Sequence, residues 1–108
     1  MESSVRKAFP WARLETHDTL VQVIVPYSVY QTVREEQMHK AGYTANMGTG
    51  VWRGPKGREA EDVVTITMSG HTQPVSEALA QLICHAFEHG EQAVYVIIDG
   101  VAHIYHKE

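Results

Sequence analysis

A repeating stripe of apolar residues after Pro74 is the firmest structural signal in this sequence. The apolar positions recur at intervals of three and four residues; they are Val75, Ala78, Leu79, Leu82, Ile83, Ala86 and Phe87. Such spacing places these side chains on one face of an α-helix. Proline is tolerated in a first helical turn, and Gly90 is typical of the residue just past a helix end. The segment therefore predicts an amphipathic helix with one face on a core.

Strand patterns precede this helix. The segment Thr19–Pro26 is short and rich in β-branched residues, which is typical of a buried strand. The segment Glu61–Met68 alternates apolar with polar residues, as expected when one face of a strand lies on the core. Between them, Tyr43–Arg53 is strand-like, although Gly48 and Gly50 interrupt it.

Turn signals predict how the strands are connected. Gly54-Pro55-Lys56-Gly57 predicts a turn between the Tyr43–Arg53 and Glu61–Met68 segments. After the amphipathic helix, Gln92–Ile98 predicts another buried strand. Asp99-Gly100 is a hairpin signal, so the chain is expected to fold back into a short last strand, Val101–His106.

A further helix is predicted between the first two strands. Ser28 is a good N-cap, Gln31 completes the spacing of a capping box, and good helix formers continue to Lys40. The resulting order is β, α, β, β, α, β plus a terminal hairpin strand. It predicts an α+β domain of the ferredoxin-like type, an antiparallel sheet with both helices on one face. We assign residues 19–108 to this domain and residues 1–18, which lack periodicity, to an extended amino-terminal arm whose Trp11 is a candidate for docking on a neighbour.

Composition excludes several classes of function. The chain has 108 residues, and its 9 Lys plus Arg are scattered and outnumbered by 13 Asp plus Glu, which argues against nucleic-acid binding. The longest apolar run, Val94–Ile98, is far shorter than the ~20 residues that cross a bilayer, and the first residues do not resemble a signal peptide. The single cysteine, Cys84, fits a reducing compartment and predicts a cytoplasmic protein. A chain this small also favours a homo-oligomer that buries further apolar surface.

Two histidines of the amphipathic helix have the spacing of metal ligands. His85, Glu88 and His89 form an H-x-x-E-H pattern, and histidines four residues apart on a helix can share one metal. A zinc site also needs a third ligand and a cleft, and imidazoles that flank an apolar stripe are commonly solvated or hydrogen-bonded. We therefore predict no metal site here. Cys84, beside the same stripe, is expected to be a small core residue.

The hairpin between the second and third strands concentrates side chains that could bind a ligand. It carries Trp52 and Arg53 on one side of the turn, and Glu59, Glu61 and Asp62 on the other. One interpretation is a solvated loop with a tryptophan that covers the sheet edge. The other is a site for a cationic ligand with a flat ring. Carboxylates attract positive charge where water is partly excluded, and indole offers a face for stacking or cation–π contact.

Three features together resemble the phage S-adenosylmethionine lyases, long called S-adenosylmethionine hydrolases. They are the hairpin Thr49-Gly50-x-aromatic-Arg53, an acid just before the third strand, and the helix run Leu82-Ile83-Cys84-His85-Ala86-Phe87-Glu88. The resemblance spans about residues 20–106. It implies a trimeric variant of the ferredoxin-like plan, related to PII-like signalling proteins, with active sites between subunits.

The resemblance also implies which residues form the site. The essential carboxylate corresponds to Glu61, with Glu59 as the runner-up, and the hairpin is shorter than in that family, which leaves Asp62 open as well. Trp52 stands where the family has tyrosine, so it keeps a stacking surface and lacks the phenol.

Other residues are implied to bind the substrate around these acids. Thr49 and Arg53 complete the hairpin motif. The turn after the first strand, Tyr27 and Ser28, is a further wall because it falls at a strand end that faces a helix N-terminus.

The reaction that the resemblance implies needs no cofactor. The methionine carboxylate of S-adenosylmethionine attacks its own γ-carbon, expels methylthioadenosine and closes homoserine lactone. In a phage this would deprive host restriction and methylation systems of their cofactor. Two alternatives stay open at this point: a PII-like or CutA-like module that binds a nucleotide or metal without catalysis, and a small metal-binding protein that uses His85, Glu88 and His89.

Overall fold

The computed structural model describes residues 1–34, 38 and 42–108. The described elements in chain order are α1 (Glu2–Ala8), β1 (Thr19–Pro26), α2 (Tyr27–Tyr30), β2 (Tyr43–Gly54), β3 (Gly57–Gly70), α3 (Thr72–Glu88), β4 (Ala93–Ile98) and β5 (Val101–His106). None of these helices is long and apolar enough to span a membrane.

The five strands form one antiparallel sheet in the order β2-β3-β1-β4-β5. Strand β1 lies at the centre, with β3 on one side and β4 on the other. The architecture is α+β, as predicted, and it is compatible with a ferredoxin-like plan that carries β5 as an added edge strand. The predicted turn into β5 is confirmed: Asp99 (φ 48°) and Gly100 (φ 85°) both adopt the left-handed conformation of a two-residue hairpin.

The core lies on one face of the sheet, beneath α2 and α3. Val21, Val23 and Val25 of β1 are each at most 2% exposed, and cross-strand partners on β3 and β4 extend the same apolar face. Helix α3 covers it with most of the predicted stripe: Val75, Ala78, Leu79, Leu82 and Ala86 are buried, and Ile83 and Phe87 are half-buried at its border. The helical spacing that defined the stripe therefore matches the face that packs on the sheet.

The helix predicted between the first two strands, from Ser28 to Lys40, is only four residues long in the structure, Tyr27–Tyr30. Helix α2 begins at Tyr27, directly after Pro26 ends β1, and Ser28 therefore lies inside the helix without capping it through its side chain. The helix ends at Tyr30, where the hydroxyl of Thr32 donates to the carbonyl of Val29 at 2.7 Å and competes with a further helical bond. Residues 35–37 and 39–40 of the predicted helix lie outside the described residues.

Three further expectations are corrected by the structure. The arm is not extended throughout, because Glu2–Ala8 is helical, with an ion pair between Glu2 and Arg6 one turn apart. Strand β2 is continuous through Gly48 and Gly50, and β3 already begins at Gly57. Cys84 is exposed and not part of the core, because it lies outside the buried stripe of α3, beside a surface groove that Tyr105 of β5 also lines.

Candidate functional site

The β2–β3 hairpin extends beyond the helices, and its register divides the predicted site residues between two faces. Thr49 pairs with Asp62, Gly50 with Glu61, and Trp52 with Glu59. Paired residues project from the same face and successive residues alternate. Trp52, Glu59 and Glu61 therefore lie on the face away from the core, called here the open face, and Thr49, Arg53 and Asp62 lie on the helix-side face. Arg53 is paired there with Arg58.

Trp52 and Glu59 form a pair across the hairpin. The indole Nε1–H donates to Oε2 of Glu59 at 3.0 Å. The carboxylate of Glu59 lies over Gly54, where any side chain would collide with it. Glu59 is therefore engaged in holding the tryptophan ring.

Glu61 is placed differently from Glu59. It lies opposite Gly50, so no side chain covers it from the partner position on β2. The backbone of Gly50 is closely approached by Val63, whose Cγ1 would lie 2.9 Å from any Cβ there, and by the ring of Trp52. In the described part of the chain, Glu61 is exposed and makes no hydrogen bond or ion pair. Its carboxylate is thus available to a ligand.

A second carboxylate, Glu91, lies near Glu61. Helix α3 ends in a Schellman motif: Gly90 has φ 96°, its N–H donates to the carbonyl of Phe87, and the N–H of Glu91 donates to that of Ala86. This motif fixes Glu91 just before β4. Partial burial raises the pKa of Glu91, and the negative charge of Glu61 raises it further.

The two glutamates flank the end of β1. Val63 pairs with the last residue of β1, so Glu61 lies beyond that end on one side, and Glu91, which precedes β4, lies beyond it on the other. Helix α2 starts there, which places Tyr27 and Ser28 at the same end of the sheet. Tyr27 is 38% exposed. An aromatic, a hydroxyl and two carboxylates therefore belong to residues at this one end of the sheet.

A buried histidine of α3 is hydrogen-bonded to the segment that follows α2. Nε2 of His85 lies 2.7 Å from Oγ1 of Thr32. Because the Thr32 hydroxyl gives its proton to the carbonyl of Val29, it accepts a hydrogen bond from His85. Burial lowers the pKa of His85, and the neighbouring His89 lowers it further, so the ring is neutral near pH 7.

The same contacts bear on the metal-binding alternative. Nδ1 of His89 is hydrogen-bonded to the carbonyl oxygen of His85 at 2.9 Å. The Cys84 thiol donates a hydrogen bond to Glu88 at 3.4 Å, and this contact raises the pKa of the thiol. Across residues 1–34, 38 and 42–108, no three His, Cys, Asp or Glu side chains are grouped to hold a metal ion. In this structure both histidines take part in hydrogen bonds within the chain.

Of the predicted site residues, Glu61, Trp52, Tyr27 and Ser28 are compatible with one ligand site around the open face and the end of β1. Thr49 and Arg53 point to the other face. Glu91 was missed by the sequence analysis. Gly90 could have indicated Glu91, because a glycine just past a helix end adopts a left-handed conformation that sets the direction of the chain at the next residue.

The comparisons with known proteins bear on the fold. No family model and no curated protein matches this sequence. Two solved structures match it: a phage SAM lyase in complex with S-methyl-5′-thioadenosine (TM-score 0.59, 13% identity) and a phage SAM lyase in its apo state (TM-score 0.58, 15% identity). Each match covers 90% of this chain and 95% of the other. The predicted resemblance to phage SAM lyases is therefore confirmed at the level of the fold.

Proposed function

We propose that this chain degrades S-adenosylmethionine as a lyase, forming methylthioadenosine and homoserine lactone. The observation that carries the proposal is the exposed carboxylate of Glu61 on the same open face as the ring of Trp52. The substrate is a cation with a flat adenine ring, and these two side chains suit those two properties. The fold shared with phage SAM lyases, one of them bound to methylthioadenosine, supports the same class of substrate.

The reaction is balanced within the substrate. A carboxylate oxygen of the methionine group forms a bond to its own γ-carbon and closes the lactone ring. The bond between that carbon and sulfur breaks, and its electron pair leaves with sulfur as a neutral thioether. No proton, water or cofactor enters, so the task of the protein is to hold the substrate folded with its carboxylate in line.

Two acids of the β2–β3 hairpin would orient the substrate. Glu61 is proposed to hold the ammonium or the ribose and to set the field near sulfur. Glu59 accepts a hydrogen bond from Trp52 and would be a positioning residue that orients the indole ring. Tyr27 and Ser28 would form the wall beside the methionine group.

Assembly into a homotrimer with sites between subunits is part of the proposal. Every residue of β5 is exposed, and on the open face Leu20 and Tyr95 are 51% and 41% exposed. Such apolar surface favours burial against further copies. Thr49 and Arg53 would contribute to a site only where a neighbouring copy covers the helix-side face of the hairpin. The proposed setting is the host cytosol, where loss of S-adenosylmethionine would hinder restriction and methylation.

Adjacent acids of β3 allow a sharp test. E61Q should lower turnover of S-adenosylmethionine by at least about a hundredfold, as for other preorganised electrostatic groups. D62N changes the next residue on the opposite face and should retain turnover. The two variants should show the same oligomeric state in light scattering. Full activity of E61Q would refute the assignment, whereas a wild-type protein that S-adenosylmethionine stabilises without consumption would indicate the PII-like binding module.

A further inference from the structure

Arg53 and Arg58 form a like-charged pair at the outer end of the β2–β3 hairpin. They lie opposite each other in the ladder, on its helix-side face, and both are exposed. Like charges directly opposite each other destabilise a pair of strands. Within the part of the chain that the structure describes, neither guanidinium forms an ion pair or a hydrogen bond. The pair is therefore available to an anion that its own copy of the chain does not supply.

The acids of the hairpin do not neutralise this pair. The Glu59 carboxylate accepts the hydrogen bond from the indole on the open face. Asp62 shares the helix-side face with the arginines, but it lies four residues from Arg58, which is ~13 Å along a strand. Lys56, in the turn, adds a further positive charge at this end of the hairpin. The outer end of the helix-side face is therefore basic.

The two faces of the hairpin are complementary in charge. Among the paired residues of 48–63, the open face carries Glu59 and Glu61 and no basic residue, whereas both arginines lie on the helix-side face. Side chains on opposite faces of a ladder point away from each other, so one copy does not present both groups to one small molecule. A head-to-tail contact, in which the open face of one copy meets the helix-side face of the next, would bring them together. Contacts of this kind close into rings.

The substrate proposed above carries a group that suits the arginines. S-adenosylmethionine has a carboxylate as well as its ammonium and sulfonium groups, and in the proposed reaction this carboxylate must point at the γ-carbon. Glu61 attracts the two cationic groups but repels the carboxylate. A guanidinium binds a carboxylate through two parallel hydrogen bonds, which fix its direction and leave about two of its four lone-pair sites for the attack.

We infer that Arg53 and Arg58 of one copy bind the methionine carboxylate of an S-adenosylmethionine molecule held at Glu61 of a neighbouring copy. This inference rests on the proposed function. It makes each hairpin part of two sites, one through Glu61 and Trp52 on the open face and the other through the two arginines. Each site is then incomplete without the second copy.

Binding measurements separate the carboxylate contact from the rest of the site. S-adenosylhomocysteine keeps the carboxylate, and methylthioadenosine lacks it. In calorimetry, R53Q/R58Q should weaken the affinity for S-adenosylhomocysteine by roughly ten- to a hundredfold, as expected for lost hydrogen bonds to a charged group, and leave that for methylthioadenosine unchanged. K56Q removes a charge from the turn between the arginines and is the matched control. An equal loss for both ligands would show a structural role and overturn the inference.

Hybrid oligomers test the division of the site between copies. E61Q and R53Q/R58Q, each with its own affinity tag, are produced in the same cells and purified through both tags. A trimer that contains both variants has one site with Glu61 from one copy and the arginines from the next, so about one third of the wild-type turnover should return. Each variant alone should fall well below that level. Recovery of no hybrid, or of hybrids no more active than the two variants, would overturn the inference.

Failure of the proposed function would give a different result. A wild-type protein that binds neither adenosine ligand and leaves S-adenosylmethionine unchanged would contradict the lyase proposal before any variant is compared. A wild-type protein that degrades S-adenosylmethionine, with full turnover retained in R53Q/R58Q, would contradict only the role of the two arginines.

Discussion

The indole nitrogen of Trp52 donates to Glu59 across the β2–β3 ladder, at 3.0 Å. Two neighbouring acids of β3 on the same face thereby differ in their roles. Glu59 is hydrogen-bonded to the ring, whereas Glu61, two residues on, is paired with Gly50 and lies near Glu91. Of the three acids that the sequence left open, we therefore propose Glu61 as the one that meets the substrate.

Two substitutions of Trp52 should distinguish the contribution of its ring to substrate binding from that of its hydrogen bond to Glu59. W52F keeps an aromatic face and removes the donor to Glu59, whereas W52A removes both. Since stacking on a base contributes ~1–3 kcal/mol, W52A should raise KM for S-adenosylmethionine by about 5- to 150-fold, and W52F by much less. Steady-state kinetics of the two variants would check this. Equal losses in both would show that the ring face does not bind the substrate.

Two glycines of β2 form a matched pair for testing the close packing of the hairpin. A Cβ at Gly50 would lie 2.9 Å from Cγ1 of Val63, whereas the nearest atom to a Cβ at Gly48 is 4.0 Å away. G50A should therefore lower the free energy of unfolding by ~1–3 kcal/mol. G48A should leave it unchanged or raise it by about 0.5 kcal/mol, because alanine reduces the freedom of the unfolded chain. Urea unfolding at one fixed protein concentration distinguishes them, and equal stabilities would contradict the close approach of Val63.

The buried His85 predicts a stability that falls in mild acid. Its pKa is lowered in the folded protein, so below its ordinary value of about 6.5 the unfolded chain binds a proton that the folded chain does not. Stability is therefore full above that pH and decreases as the pH falls towards the folded pKa. Melting temperatures between about pH 5 and 7.5 should show a flatter slope in H85N, whose amide can still donate to Thr32. The exposed H103N is the control, and a wild-type slope in H85N would contradict this role.

The elements that the sequence predicted well are those whose periodicity matches a buried face. Strand β1 has the predicted bounds, Thr19–Pro26, since Val21, Val23 and Val25 all point to the core. Helix α3 begins two residues before Pro74 and ends just before the predicted stop, because Gly90 adopts the left-handed conformation that ends it. In these cases the local pattern and the tertiary packing agree.

The differences arise where a distant residue overrides the local signal. Helix α2 ends early because Thr32 is hydrogen-bonded to Val29 and to His85, and His85 lies more than fifty residues further along the chain. Strand β2 runs through Gly50 because Val63 and Trp52 pack over it. Glu91 joins the site only because the sheet order brings the start of β4 beside β1. Neither pairing order nor such contacts can be read from local composition.

The most direct measurement is to incubate the purified protein with S-adenosylmethionine in water enriched in the heavy oxygen isotope and to identify the products by mass-resolved chromatography. The proposed reaction gives methylthioadenosine and unlabelled homoserine lactone. Any homoserine formed later from the lactone would carry the label in its carboxyl group. Label in the homoserine hydroxyl would instead show direct attack by water, and unchanged S-adenosylmethionine would contradict the enzymatic account altogether.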